Sequence, residues 1–454
     1  MLRDLRGPSP LLRRALLLLL SAGLHARLLH GSGREDTAQL LGLFGALFAL
    51  YAALCWRLPA ERELPFWLWG AMLLRGIAWF SMPQLSDDYF RFVWDGRLLA
   101  GGENPFLRTP EQWMADPRAA GLGLTPELFA GLNSPAYFTI YPPVLQGIFW
   151  LGAEVFPSSV EGHVWLMKSF VIGAEGLSLW LLPRLLRRLG REPGLALLYA
   201  LNPLAIVELS GNLHFEALML AFLLLAAYAL AEGRRHASAL AFALAVCSKL
   251  LPLMLLPLLL RRIGWRQTFI YSMLSGGLTL LLFWPLLSGE AFGHLLSSVG
   301  LYFQKFEFNG GLYSLLRWAG YQLRGYNMIA AIGRWTALAT LLGILLFALL
   351  ERRPRRQNWL PQMLWPWLIY LGLSSIVHPW YVAPMLAFCL PGPYRFPLLW
   401  SALLPLTYLT YASRPWSEHP EVVALEYCLL AGWLMWELFV VRKKGAAQRR
   451  LSEA

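Results

Sequence analysis

The chain reads as an all-α polytopic membrane protein. Three observations carry that reading. Hydrophobic residues fill 57% of its 454 positions, charged residues fill only 15%, and mean hydropathy is +0.48. Soluble chains are about one quarter charged, and a water-soluble fold this poor in charge lacks the polar surface to cover itself. Disordered, collagenous and coiled-coil chains need polar or repetitive composition. The 21 Trp and 17 Tyr fit the same class, because their rings favour the bilayer interface.

The formal net charge is +12. In a soluble protein such an excess would suggest nucleic acid. Here the basic residues sit in short clusters between apolar runs: Arg3, Arg6, Arg13 and Arg14; Arg184, Arg187, Arg188 and Arg191; Arg234 and Arg235; Arg261, Arg262 and Arg266; Arg352, Arg353, Arg355 and Arg356; Arg442, Lys443 and Lys444. That is the pattern of positive-inside topology, so no nucleic-acid partner is expected. Cys55, Cys247, Cys389 and Cys428 lie in or beside apolar stretches without metal-like spacing, which predicts neither a disulfide framework nor a zinc site.

A span needs about 20 mostly apolar residues. Candidate spans fall near 14–31, 38–56, 65–83, 163–183, 195–213, 214–231, 268–287, 327–350, 359–378, 380–394, 396–412 and 421–441. His25, Arg27 and His30 interrupt the first, and 380–394 is short. The N-terminal run has no small-residue cleavage site, so a retained first helix is expected. Twelve spans put both basic termini on one side. The charge rule makes that side the cytoplasm of a multi-pass protein of the cell (inner) membrane.

The same rule decides two ambiguous pieces. Segment 141–156 is apolar but only 16 residues long. Were it a span, the 184–191 arginines would fall outside, so a helix dipping into or lying along the outer leaflet is predicted. Segment 237–260 has a basic pair at each end, and Pro252 and Pro257 break its helical pattern. It reads as a re-entrant pair of short helices with Ser248-Lys249 near the bend, the alternative being one helix that violates the charge rule. Two long outer loops follow, 84–162 and 288–326, each longer than a mere connection. The whole of 1–454 is expected to form one integral-membrane domain around them.

The first loop opens with SDDYFRFVWDGRLLAGGENPF, residues 86–106. Ser86 suits an N-cap and Gly101 a stop, so 87–100 reads as a helix. Asp87 and Asp88 fall in its first turn, where the helix dipole favours the ionised form. Arg91 lies within reach of both. An ordinary capped helix would use these residues too. An ionised carboxylate at the membrane surface is also a general base for an acceptor hydroxyl, and a neighbouring arginine suits a lipid-linked phosphate.

This motif resembles the first-loop signature of GT-C superfamily glycosyltransferases, the nearest being bacterial polyprenol-phosphate-mannose-dependent mannosyltransferases. YPPVLQ (141–146), LNPLAIVELSGNLHFEALM (201–219), SKLLPLMLLPLLL (248–260), FNGGLYSLL (308–316) and HPWYVAP (378–384) resemble that group in the same order. Glu216 stands where relatives more often carry Asp. The resemblance implies a GT-C helical bundle and transfer of a hexose, mannose first, from a polyprenyl-phosphate donor. The acceptor would be a glycan or lipid at the outer face of the bilayer, with inversion. It makes Asp87 the expected base, with Asp88 as competitor. It assigns Arg91, Arg97, His378 and Lys249 to the donor phosphate, and Tyr141, His214, Glu216, Asn309, Trp380 and Tyr381 to substrate.

Each of these positions has a plainer reading. Pro142 and Pro143 suit a helix start. His214 and Glu216, two residues apart, do not share a helical face, so a two-ligand metal site would need a non-helical turn. Lys249 lies in an apolar run, where lysine is costly and points to function, with Glu208 as a candidate partner. Trp380 and Tyr381 suit an aromatic belt, and Asn309-Gly310 a turn. Arg75 and Arg334 lie inside spans with partners open. The chain has no GxxxxGK[ST], HExxH or CxxC motif. No ligand cluster calls for a divalent cation, so no cofactor is expected. Two other readings stand beside the enzyme. One is a transporter or lipid-linked-sugar flippase using Lys249, Glu208 and Arg75; the other is a non-catalytic envelope assembly subunit. The topology predicts that a fluorescent reporter active only in the cytoplasm stays dark when fused after residue 120; bright cells would overturn the orientation.

Overall fold

Apolar runs bounded by charge become helices, and ion pairs tie their ends together. A computed structural model describes residues 10–56, 58–302, 306–352 and 354–453; Arg3, Arg6 and Arg353 of the basic clusters lie outside them. Among the described residues the structure is helical, apart from an isolated parallel bridge between Phe308 and Ile376. The first helix, Pro10–Gly31, runs unbroken through His25, Arg27 and His30. His25 is buried, with Nδ1 2.8 Å from the Ser21 carbonyl. Arg27 reaches Gln39 at 2.9 Å.

Helix length narrows the span count. Thr37–Cys55, Val160–Arg188, Ile329–Leu350 and Pro420–Lys443 are long and apolar enough to cross a membrane. Pro193–Ala200 and Ala205–Gly211, bent by 63°, make a fifth if taken as one broken span. Among the described residues, length and composition together thus support four or five spans, and the twelve expected are not confirmed. Elsewhere the helical pieces are shorter. Pro379–Phe388 and Phe396–Leu403 have only 10 and 8 residues, and 3-10 turns carry the chain from Leu251 to Leu259 and from Leu404 to Tyr411. Pro379–Phe388 is mostly buried among other helices, whereas Leu253 of the Leu251–Leu259 piece is exposed.

At one end of the bundle Arg14 pairs with Glu63, Arg187 with Glu61 at 2.9 Å and Arg188 with Glu232 at 3.2 Å. Segment 237–260 starts from that end. The Arg235–Ser248 helix stops at Lys249, which is extended (φ −160°, ψ 136°). Residues 233–237 and Gln267 and Ile270 then line one hollow. The chain thus returns to the end it left, with its bend at Lys249, where a bend was expected. In the interior, Arg75 finds its partner in Glu175 (2.7 Å) and donates to the Ala71 and Ala200 carbonyls, with Tyr199 closing on Glu175.

The 84–162 unit folds at the other end as Asp88–Ala100, Pro110–Met114, Pro126–Ala130 and Pro143–Val155. Asp87 takes the N-cap position, and Ser86 Oγ accepts from the Asp88 amide at 3.3 Å. Segment 141–156 is the helix predicted, packed on Asp88–Ala100 with Trp150, Val155 and Phe156 exposed. The second loop locks onto the first. Asn104 Nδ2 donates to the Leu286 carbonyl at 2.7 Å, and the His294 ring stacks on Phe138 at 3.8 Å. Gly96 sets how closely the two loop helices approach. A Cβ there would lie 2.3 Å from the Phe149 carbonyl oxygen and 2.7 Å from the His163 ring. Gly96→Ala is expected to cost about 1–3 kcal/mol, read as a lower Tm of the detergent-purified protein; an unchanged Tm would mean that the helices part freely.

Candidate active site

Four pieces of chain converge beside the acidic turn at residues 87–88. The first is the turn itself. Asp87 pairs with Arg34 at 2.6 Å, and Asp88 accepts from Asn133 Nδ2 at 2.7 Å. The second is a π-helical stretch, Ala205–Gly211, followed by Leu213 in the left-handed region (φ 62°). A buried branched residue there stores backbone strain, a feature that gathers at functional sites. The turn is non-helical and brings His214 Nδ1 to 2.8 Å from the Glu208 carbonyl oxygen, just before the Glu216–Ala231 helix. The third is the break at Lys249, whose ammonium pairs with Glu216 and lies 4.3 Å from the centre of the Tyr381 ring. The fourth is the start of Pro379–Phe388. Trp380 is stacked between His214 (3.6 Å) and His378 (4.4 Å), and His378 also meets Phe308 at 4.7 Å.

Charge is tightly balanced here. Burial pushes the Asp88 carboxyl above its ordinary range, the Asn133 hydrogen bond opposes that, Glu216 and Asp87 raise it further and Lys249 lowers it. A carboxylate whose proton affinity is raised by burial and acidic neighbours suits proton abstraction better than one locked in an ion pair. The Nε2 of His214 is buried without a protein partner, which leaves it available to a ligand. Among the described residues no group of three or more His, Cys, Asp or Glu side chains is arranged to hold a metal ion.

The structure thus gathers Asp87, Asp88, His214, Glu216, Lys249, His378, Trp380 and Tyr381. Tyr141 borders them through Phe92 (5.0 Å), which meets Phe215 at 5.3 Å. Three expected residues are engaged elsewhere. Arg91 donates to Asp95 at 2.9 Å and to the Tyr137 carbonyl at 3.0 Å, as part of a buried knot with Thr139 and Gln146. Arg97 donates to the Gly123 carbonyl inside the loop. Asn309 is buried, its amide side chain on Glu426 (3.1 Å) and its carbonyl accepting from Tyr427 (2.8 Å). Lys249 pairs with Glu216 rather than with Glu208, which instead accepts from Tyr408 at 2.6 Å and Asn212 at 3.3 Å. Arg334 is exposed and donates to Ala330 within its own helix.

Sequence reasoning missed Arg34, Asn133, Tyr408, Tyr411 and Trp416. Arg34 alone left a signal: a basic residue in a short loop that the charge rule puts on the outer side. The others are ordinary loop or belt residues until the fold brings them in.

The helical bundle and its acidic turn are those of a GT-C mannosyltransferase-like protein, as two comparisons show. A model of the alpha-(1->6)-mannopyranosyltransferase N-terminal domain matches residues 24–263, more than half of the chain, and the chain belongs to that family. It is 25% identical over 348 residues to alpha-(1->6)-mannopyranosyltransferase A of Mycobacterium tuberculosis. That match spans 71% of this chain and 64% of the relative, so less than two thirds of the relative is covered. The family match holds Arg34, the dyad, Asn133, His214, Glu216 and Lys249; His378, Trp380 and Tyr381 lie beyond it.

Lys249→Met strands the Glu216 carboxylate, which is buried. A loss of about 1–3 kcal/mol is expected, discounted because the lysine is partly exposed. Lys249→Met with Glu216→Gln loses less than the single variant. Thermal melts of the three proteins check this; equal losses would show the pair to be uncoupled.

Proposed function

We propose that this protein transfers mannose from a polyprenyl-phosphate donor to a hydroxyl of a glycan or lipid acceptor, at the outer face of the membrane and with inversion. The observation that carries the reading is the Asp88 carboxylate, poised between Glu216–Lys249 and Arg34–Asp87. Family membership supplies the sugar: its members are described as alpha-(1->6)-mannopyranosyltransferases.

The step balances with the residues present. The acceptor oxygen attacks the anomeric carbon and its proton passes to Asp88. The bond from that carbon to the phosphate oxygen breaks, and its electron pair leaves with the phosphate. Attack opposite the leaving group turns a β-linked donor into an α-linked product. The phosphate is a good leaving group, so no strong general acid is needed. Lys249 keeps N–H donors beyond the one engaged by Glu216 and suits the phosphate. His378 and His214, stacked on either face of Trp380, suit the sugar or phosphate oxygens. The family resemblance ranks Asp87 ahead of Asp88 as base; the Arg34 pairing of Asp87 favours the reverse order.

Purified protein given radiolabelled polyprenyl-phosphate mannose and a membrane extract should label an acceptor, and Asp88→Asn should lower the rate at least about a hundredfold. Movement of donor across vesicles without transfer would favour a transporter instead. The working form of Asp88 is ionised, so the rate falls as pH drops through its raised pKa. Asn133→Ala removes a hydrogen bond that favours the ionised form, and the acid limb of the pH–rate profile should move to higher pH. A limb unchanged in Asn133→Ala would argue against Asp88 as base.

A further inference from the structure

Arg34 comes from the short loop between the first two helices, 53 positions before the carboxylate it pairs with. Nothing in the motif at 86–106 requires it. Its guanidinium lies 2.6 Å from Asp87 Oδ2, 5.0 Å from the centre of the Tyr411 ring and 4.6 Å from that of Trp416. Two aromatic rings and one carboxylate fix a flat cation on three sides, which limits where that carboxylate can point. Next to Arg34, Glu35 pairs with Arg414. The first loop and the 404–416 segment are therefore joined twice above the acidic turn.

We propose that Arg34 is a positioning residue of the dyad: it pins Asp87 and balances its charge, so that Asp88 alone remains to take up a proton. This inference deepens the function proposed above and rests on it for the reaction, though not for the charge coupling itself. Adjacent carboxylates repel each other's ionised form. With Arg34 in place, the charge of Asp87 is compensated at contact distance. Without it, Asp87 would bear directly on Asp88.

The other charged and titratable groups facing the turn are few. Tyr89 stands on the same helix, with Glu161 near it. Tyr411 faces both aspartates, with Glu208 behind it. Glu216 and Lys249 face Asp88 and are paired with each other. Arg91 is held by Asp95. Of the two cations nearest the dyad, Lys249 already has Glu216, which leaves Arg34 as the counter-charge of Asp87.

Hydrophobic carbodiimides modify protonated carboxyl groups, so the pH of half-labelling reports this coupling without any turnover. Mass spectrometry of the peptide bearing Asp87 and Asp88 gives that pH for the full-length protein in detergent. Arg34→Met should move half-labelling upward by about one pH unit, while Arg34→Lys, which keeps the charge, stays near the wild type. Arg34→Gln serves as the same test should Arg34→Met fail to fold. An unmoved midpoint in the neutral variants overturns the proposal. In the transfer assay, Arg34→Met should lower kcat about tenfold on the shifted acid limb and leave the donor KM unchanged. A raised donor KM with an unmoved limb would make Arg34 a phosphate ligand and overturn the proposal. Should the wild type transfer no mannose, the functional reading fails, and the labelling midpoint still decides the role of Arg34.

Discussion

The pairing of Lys249 with Glu216 is the contact on which the site's geometry depends. It holds the break of a re-entrant segment against the first turn of the Glu216–Ala231 helix. Both groups sit in apolar surroundings where either alone would be costly. Their mutual attraction therefore fixes where the chain turns back. Once it is fixed, Tyr381 packs over the ammonium, Trp380 fits between His214 and His378, and the acidic turn faces the result. The interior pair of Arg75 and Glu175 has no such role: it is closed by Tyr199 and two backbone carbonyls.

Composition made the helical membrane class legible, and the basic clusters made the re-entrant course of 237–260 legible. Both rest on long-range physical costs, the burial of charge and of unpaired backbone, that act on any fold. The number of full spans was not legible. Apolar runs such as 380–394 and 396–412 look alike whether they face lipid or protein, and hydropathy does not record the change from α-helix to 3-10 turns at Leu404.

The site was legible where chemistry is local to a motif. Asp87, Asp88, His214, Glu216, Lys249 and His378 stand out because charged and imidazole side chains are rare in this chain, and the fold brings them together. Arg91, Arg97 and Asn309 were equally prominent, yet each is consumed by loop packing. Helical spacing tells which partners a side chain can reach, not which one it takes. Asp95, four residues from Arg91, outcompetes the turn because Thr139 and Gln146 complete its hydrogen bonding. Arg34 and Asn133 come from segments with no motif of their own, so only tertiary structure joins them to the dyad.

The joining of Arg34 and Glu35 to residues 411–416 carries a consequence for biosynthesis. The acidic turn leaves the ribosome well before the rings that brace its counter-charge. His378 and Trp380 also emerge late. Until they follow, a nascent chain displays the aspartates without these surroundings. The site is assembled only after residues 411–416 have been made, a timing that follows from connectivity.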